Sequence, residues 1–233
     1  NMRLARIASF VHKWLALLIG IQIVFWVVSG LFFTLYPIEQ IRSEHLIRPA
    51  EPRPVETGSL DFSGLRNSAG AAPIKLTVEN RAYGQVVLAE FADGDPILYD
   101  AATLQPISPI SRERAVEIAR GHIALDSTPT AVERITEHVP EYHGLLPAWR
   151  VRFPEHGMAV YVADNTGAVT GRRSDLWRIY DTLWALHIMD WEHHEDFNHP
   201  LIVIVAWLTL FSVIAGIALI PYRFRWFKKS RPA

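Results

Sequence analysis

Two long apolar runs lie near the two ends of the chain, and a mixed polar region separates them. The runs cover residues 15–36 and 201–222, and neither contains a charged residue. At about 1.5 Å per residue, a helix of this length reaches roughly 33 Å, which is enough to cross the ~30 Å hydrocarbon core of a bilayer. The pattern therefore predicts two transmembrane α-helices.

Between the runs, short segments rich in β-branched and aromatic residues predict strands separated by turn sequences. Ser111 offers a helix N-cap, and the spacing of Ala115, Ile118 and Ala119 predicts an amphipathic helix over residues 112–125. The predicted strands cover residues 74–78, 85–91, 97–99, 132–138, 149–153, 158–162 and 168–170. The middle of the chain is therefore predicted to be α+β with antiparallel pairing.

A short sequence repeat occurs at two of the predicted turns. Residues 99–104 (YDAATL) align with residues 162–167 (VADNTG), and each segment follows a strand-rich block. The repeat fits two related structural halves, and it fits equally well a coincidental likeness between two hairpin turns.

The charges that flank the apolar runs predict their orientation. The two tails hold eight of the 23 basic residues and none of the 24 acidic ones, so the middle carries about nine excess negative charges. Basic flanks favour the cytoplasmic side of a membrane. A cleaved signal peptide is the alternative interpretation of the first run, but the run is too long and ends on aromatic residues rather than on a small-residue cleavage site.

The composition excludes several classes of site. The chain has no cysteine, which rules out disulfides, thiolate-bound iron–sulfur clusters and covalently attached c-type haem. No basic stripe or motif indicates nucleic-acid binding.

Residues 184–200 are rich in potential metal ligands. Imidazole and carboxylate together suit divalent ions such as iron, zinc or copper. The candidate metal ligands are His193, His194, His199, Asp190 and Glu195. The alternative is a solvated polar turn between an interfacial amphipathic helix and the second span.

The segment that begins with residues 111–115 (SRERA) and ends with residues 161–169 (YVADNTGAV) resembles a PepSY domain. The flanking runs resemble those of PepSY-associated transmembrane proteins, because a His-x-Trp sequence (12–14), a Ser-Gly pair (29–30) and a Leu-His pair (186–187) occur in the family's order. The resemblance implies a PepSY-like α+β extracytoplasmic domain, an antiparallel sheet plus helix, anchored by two transmembrane helices.

The resemblance also implies a link to iron, because larger relatives include siderophore-iron reductases that hold b-type haem. The expected cofactor is haem b or a divalent metal ion, with His12 and His187 as the haem-binding candidates. His12 lies about 36 Å from the outer end of the first span, so the two histidines are not expected to share an iron. A bis-histidine haem at His12 then needs another subunit. The alternative for His12 is an uncoordinated ring at the lipid headgroups.

Three functions remain open at this stage. The first is an inner-membrane PepSY-type subunit of iron- or haem-linked transmembrane electron transfer, which as an enzyme would belong to a membrane ferric reductase. The second is a non-enzymatic accessory or assembly protein, and the third is a protease-regulating one. The expected partners are the lipid bilayer and either another membrane protein or a second copy, and the expected location is the bacterial inner membrane with both termini cytoplasmic and the central domain periplasmic.

The predicted organisation has six segments. They are residues 1–37 (cytoplasmic tail and first transmembrane helix), 38–110 (linker and first PepSY-like strand-rich half), 111–173 (PepSY-like domain), 174–199 (interfacial helix and His-rich turn), 200–222 (second transmembrane helix) and 223–233 (basic cytoplasmic tail).

Overall fold

The computed structural model describes residues 2–49, 53–56, 58 and 61–223. The chain folds into two units, one formed by residues 1–37 and 179–233 and the other by residues 38–178. The predicted basic tail, residues 223–233, lies outside the described residues apart from Arg223.

The first unit is helical. Helix α1 covers Met2–Leu35 and the last helix of the chain, α5, covers Pro200–Arg223; the two helices pack against each other. Residues Arg6–Leu35 and Pro200–Pro221 are long and apolar enough to cross a membrane, and most of their large apolar side chains are exposed. Helix α1 begins well before the predicted apolar run, because residues 2–14 contain no proline or glycine that would interrupt it.

The second unit begins with a short helix α2 (Ile38–Ile41) and contains two antiparallel sheets. The first sheet has the order β1-β2-β3, and the second has the order β4-β5-β6-β7. The strands are Lys75–Arg81 (β1), Gly84–Glu90 (β2), Ile97–Asp100 (β3), Ala131–Ile135 (β4), Ala148–Arg152 (β5), Ala159–Ala163 (β6) and Val169–Arg173 (β7). The predicted α+β class with antiparallel pairing is confirmed.

Helix α3 (Arg112–His122) packs on the second sheet through Ala115 and Ala119, which are fully buried. Ser111 caps its first turn, as predicted, by accepting a hydrogen bond from the backbone N–H of Arg114 at 3.2 Å. The helix ends three residues earlier than predicted, because Ile123 takes an extended conformation and turns into the core. Ile118 is only half-buried, at the edge of that core.

Strand β1 extends three residues beyond the predicted strand, which ended at residue 78. The β1–β2 turn instead lies at residues 82–83, and Asn80 pairs with Gln85 inside the hairpin. Asparagine favours turns by propensity alone, but here its side chain donates to the carbonyls of Arg53 and Pro54, which keeps it in the strand.

The two turns with similar sequences have the same backbone hydrogen bonds. Leu104 N donates to Asp100 O at 2.9 Å, and Gly167 N donates to Ala163 O at 2.8 Å. Both turns end on a left-handed residue, with φ of 53° at Leu104 and 61° at Gly167. The sequence repeat therefore corresponds to one turn conformation that occurs after β3 and again after β6.

Asp164 follows β6 and connects several parts of the second unit. Its side chain is 1% exposed and accepts hydrogen bonds from Arg134 Nη2 at 2.6 Å and from Trp149 Nε1 at 3.0 Å. Its backbone carbonyl accepts from Ile110 N, in the segment that leads from the first sheet to α3. The aspartate of the PepSY-like turn is thus a buried structural anchor.

Candidate functional site

His187 lies near the end of helix α4, which covers Asp175–Ile188, and its ring packs against α1 within the helical unit. Its Nδ1 is 2.7 Å from the hydroxyl of Ser29, which is completely buried. The Ser29 hydroxyl donates to the Phe25 carbonyl at 2.6 Å. Because the hydroxyl proton is already used, the Ser29 oxygen accepts a hydrogen bond from His187 Nδ1–H. His187 is therefore the Nδ1–H tautomer, with the lone pair on Nε2.

Aromatic rings surround the His187 imidazole. Trp184 is stacked parallel to it, with ring centroids 6.2 Å apart, and Tyr180 continues the same stack one turn earlier. Phe33 and Trp26 of α1 contact the imidazole from the other helix, at 5.7 and 6.4 Å. Burial in these surroundings lowers the pKa of His187 below its ordinary value, so its neutral form is favoured.

Side chains from neighbouring segments donate hydrogen bonds to the last carbonyls of α4. These bonds explain why the first apolar run contains Gln22 and the indole N–H of Trp26. Gln22 Nε2 donates to the Leu186 carbonyl at 2.9 Å, and Trp26 Nε1 donates to the His187 carbonyl at 2.7 Å. His199 Nε2 lies 2.9 Å from the Ile188 carbonyl and donates to it. Three of the last four carbonyls of α4, which have no partner within the helix, are satisfied in this way.

His12 is arranged like His187, at a different level of α1. Its Nδ1 lies 2.8 Å from the Ser212 carbonyl, and a carbonyl only accepts, so His12 also carries its proton on Nδ1. Gly216, one turn later on α5, lies beneath the ring; a Cβ at this position would be 3.0 Å from His12 Cε1. The absence of a side chain at Gly216 thus leaves room for the His12 ring between the two helices. No residue that the structure describes forms a hydrogen bond with Nε2 of either histidine.

The two histidines lie closer together along α1 than the length of the first apolar run suggests. His187 contacts α1 at Ser29, not at its end, and 17 residues separate His12 from Ser29 along the helix, or about 26 Å. The value of about 36 Å from the sequence is the distance from His12 to the outer end of the first run, and His187 contacts α1 before that end. The conclusion that the two histidines do not share an iron is unchanged.

Helix α1 also extends beyond the start of α5. Because His12 is level with Ser212 and the two helices are antiparallel, Pro200 is level with about Val24. The last eleven or so residues of α1 therefore project about 16 Å past Pro200. Helix α4 packs on this projecting part, so the His187 surroundings lie near the level where α5 begins.

The predicted metal ligands in the His-rich turn have other roles in the structure. Asp190 accepts hydrogen bonds from four backbone N–H groups, those of Glu192, His193, Glu195 and Asp196. Although partial burial opposes ionisation, these hydrogen bonds lower the pKa of Asp190 far below its ordinary value. Asp190 therefore shapes the turn as a permanent carboxylate.

His194 pairs with a residue that the sequence did not single out. Its Nδ1 is 2.6 Å from the Asp181 carboxylate on α4, and its backbone carbonyl accepts a hydrogen bond from Trp184 Nε1 at 3.1 Å. His193 is exposed, and His199 has Nε2 committed to Ile188. In the part of the chain that the structure describes, no three His, Asp or Glu side chains are grouped to hold a metal ion. A metal site at His193, His194, His199, Asp190 and Glu195 stays a prediction.

Some of the contacts made by α4 and the turn after it could have been predicted from residue spacing, and others could not. Gln22, Trp26 and Ser29 recur at four and three residues, the spacing of one helix face, so their shared orientation towards α4 follows from helix geometry. The Asp181–His194 pair has no such signal, because it joins a helix to an irregular turn.

Fold and site together define a membrane-anchored α+β protein, in which two apolar helices and an aromatic-lined histidine accompany a two-sheet domain. The chain belongs to the family of the PepSY-associated TM region, whose model matches residues 10–233. The predicted family is confirmed, and the chain is a membrane protein in contact with the lipid bilayer. No curated protein and no solved structure matches the chain.

Proposed function

We propose that this protein is the inner-membrane subunit of an iron- or haem-linked electron-transfer pathway, with b-type haem bound through His12 and His187. The observation that supports the proposal is the shared tautomer of the two histidines. In each, Nδ1–H donates to an oxygen atom and Nε2 keeps its lone pair. A metal-binding histidine commonly has this arrangement, because the hydrogen bond on one nitrogen orients the ring and raises the basicity of the other.

The surroundings of both rings fit a haem ligand as well. A neutral imidazole binds iron without adding charge to an apolar environment, and burial favours the neutral form of His187. Trp26, Phe33 and Trp184 give the His187 ring apolar neighbours. Bound haem would supply a one-electron redox centre at each of the two histidines, and the protein's own part is to hold and orient the two imidazoles.

A second histidine to hold haem at His12 would come from another chain. Residues 200–223 contain no histidine, and His199 donates to a carbonyl through Nε2. A second copy or a different membrane subunit would then complete the iron coordination. The proposal therefore includes a membrane-protein partner or a homodimer.

The proposed orientation has both tails in the cytoplasm and residues 38–199 in the periplasm, and the charge asymmetry of the sequence supports it. The chain has no cysteine, so single cysteines can be introduced without background. In intact spheroplasts, an impermeant maleimide should label a cysteine at Asn165 and spare one at Ser230. Equal labelling, or the reverse pattern, would contradict this orientation.

The haem proposal is tested by absorption spectra and by haem and metal content of the full chain, produced with haem supplied during expression. We expect a Soret band in the wild type. His12→Ala and His187→Ala should each remove part of the bound haem, because their sites are separate. His45→Ala is the matched control, since His45 is exposed and lies outside both sites.

The spectra also distinguish the alternative function. A wild-type chain without haem, iron, copper or zinc under these conditions, and variants that match it, would contradict the redox proposal. The accessory or assembly role would then be the better explanation of a membrane-anchored PepSY-like domain.

A further inference from the structure

A cavity of about 760 Å³ opens in the second unit, between the β1–β2 turn, the end of α3 and the start of β7. It is lined by groups from both halves of this unit, including Tyr83 from the first sheet, Ile118 and Gly121 from α3, and Gly167 and Val169 from the second sheet. Its size is that of a small-molecule site. None of these residues belongs to the histidine sites of the helical unit.

The cavity is positively charged although the unit around it is acidic. Residues 38–178 contain nineteen acidic and fifteen basic residues. The lining has Arg48, Arg53 and Arg81 against Glu79 alone, an excess of two positive charges. A concave surface with charges of one sign concentrates its field and attracts ions of the opposite sign.

The three arginines differ in how their charge is compensated. Arg81 is paired with Glu79 at 2.5 Å, and its Nη1 donates to the Thr166 carbonyl at 2.6 Å, which fixes it across the two halves. The Arg48 guanidinium donates to the Ile123 carbonyl at 3.3 Å and forms no ion pair with a described residue. Arg53 forms no ion pair with any residue that the structure describes. Arg48 and Arg53 therefore supply the uncompensated charge.

Both of these arginines are anchored through their backbones. Arg48 N donates to the His122 carbonyl at 2.8 Å, and the Arg53 carbonyl accepts from Asn80 Nδ2 at 3.0 Å. Their guanidinium groups are exposed while the chain that carries them is held at the rim of the cavity. The positive charge is thus presented to a ligand without a large loss of backbone freedom on binding.

His122 adds a hydrogen-bond donor without a charge. Arg172 Nη1 lies 3.0 Å from His122 Nε2, and because an arginine only donates, Nε2 accepts and the imidazole proton is on Nδ1. Burial, helped by the charge of Arg172, lowers the pKa of His122 and so keeps it neutral. No described residue accepts the Nδ1–H, and it remains available to an acceptor in the cavity.

We propose that this cavity binds a small organic molecule with two negative charges, carboxylate or phosphate, and an apolar body. Arg48 and Arg53 would bind the anionic groups by charge-assisted hydrogen bonds, which are about twice as strong as neutral ones. Tyr83, Ile118 and Val169 would cover the apolar body. This inference does not depend on haem, because it concerns a separate site in a separate unit.

The test is isothermal titration of the full chain in mild detergent with phenyl phosphate and with phthalate, two dianions that have an aromatic body. We expect saturable binding with one site per chain, and the tighter of the two probes identifies phosphate or carboxylate as the preferred group. Inorganic phosphate has the charge but no apolar body, and it should bind at least tenfold more weakly. Binding of inorganic phosphate as tight as that of both aromatic probes would indicate an adventitious ion only and would overturn the proposal.

Two variants separate specific binding in the cavity from general charge attraction. Arg48→Gln with Arg53→Gln should weaken binding at least tenfold. Gly121→Phe should also abolish binding although it changes no charge, because a side chain at this position projects into open space, with only Ala82 Cβ nearby at 3.9 Å.

The matched control is Arg66→Gln, since the Arg66 guanidinium likewise donates to backbone carbonyls, those of Ser63 and Leu65, and lies away from the cavity. It should bind both probes as the wild type does. Wild-type affinity in the Arg48/Arg53 double variant, or no saturable binding by the wild type, would overturn the proposal. If Gly121→Phe fails to fold, the double variant decides the question, because both of its positions are exposed.

Discussion

Replacing Ser29 by alanine tests the hydrogen bond that orients His187. The Ser29 side chain is fully buried, and its hydroxyl is the acceptor for His187 Nδ1–H. Alanine removes that acceptor, leaves little empty space, and keeps the aromatic neighbours of the ring. The change therefore isolates one polar contact between α1 and α4.

The expected cost follows from the burial of the two partners. A buried donor that loses its partner costs about 1–3 kcal/mol. His187 is only half-buried, so the lower part of that range applies, and the better helix propensity of alanine returns about 0.5 kcal/mol. We expect Ser29→Ala to reduce the free energy of unfolding by about 0.5–1.5 kcal/mol.

The assay is equilibrium unfolding of the full chain in mixed micelles with increasing SDS, followed by tryptophan fluorescence. Trp26 and Trp184 both contact the His187 ring and report on this region. Thr34→Ala is the control, because it removes a hydroxyl of the same helix that is exposed and donates only to the Leu31 carbonyl. We expect the control to change stability by less than about 0.5 kcal/mol. Equal losses in Ser29→Ala and Thr34→Ala would refute the assigned role of Ser29.

Three further predictions concern the second unit and are measured by unfolding of the full chain. Asp164→Ala should cost about 2–4 kcal/mol, and Asp164→Asn clearly less because its amide oxygen still accepts from Trp149; equal costs would contradict a contribution of the Trp149 hydrogen bond to this anchor. Gly167→Ala should cost about 1–2 kcal/mol because φ is 61°, whereas Gly64→Ala, with ordinary φ and open space, should be close to neutral. Burial raises the pKa of Tyr161 to about 12, so stability should fall as pH rises from about 10 to 12, by about 2–3 kcal/mol in total, and an equally steep fall in Tyr161→Phe would exclude this cause.

The family resemblance and the broad architecture could be predicted because they depend on local patterns. The apolar runs, the Ser111 cap and the alternating strand segments each occupy neighbouring residues, and their physical meaning does not depend on the rest of the chain. Errors occurred where a distant partner changed a local preference. Asn80, for example, stays in a strand because its side chain binds the carbonyls of Arg53 and Pro54.

The residues of the candidate site could be predicted before the structure was known, but their contacts could not. The family resemblance indicated His12 and His187 as single residues, together with the Ser-Gly pair at residues 29–30. Only the structure shows that Ser29 and His187, which are 158 residues apart, form a hydrogen bond. It likewise shows that Asp190 binds the backbone of its own turn.

The sequence by itself determined that this protein has two membrane-length helices around an antiparallel α+β domain, because hydrophobic length and periodicity are properties of consecutive residues. The tertiary structure alone decided which nitrogen of each histidine carries the proton and where the cationic cavity opens. Both depend on groups brought together from different elements: Ser212 with His12, and Arg48 with Arg81. Such partners are chosen by packing and by the need to satisfy buried polar groups, which no local pattern of residues encodes.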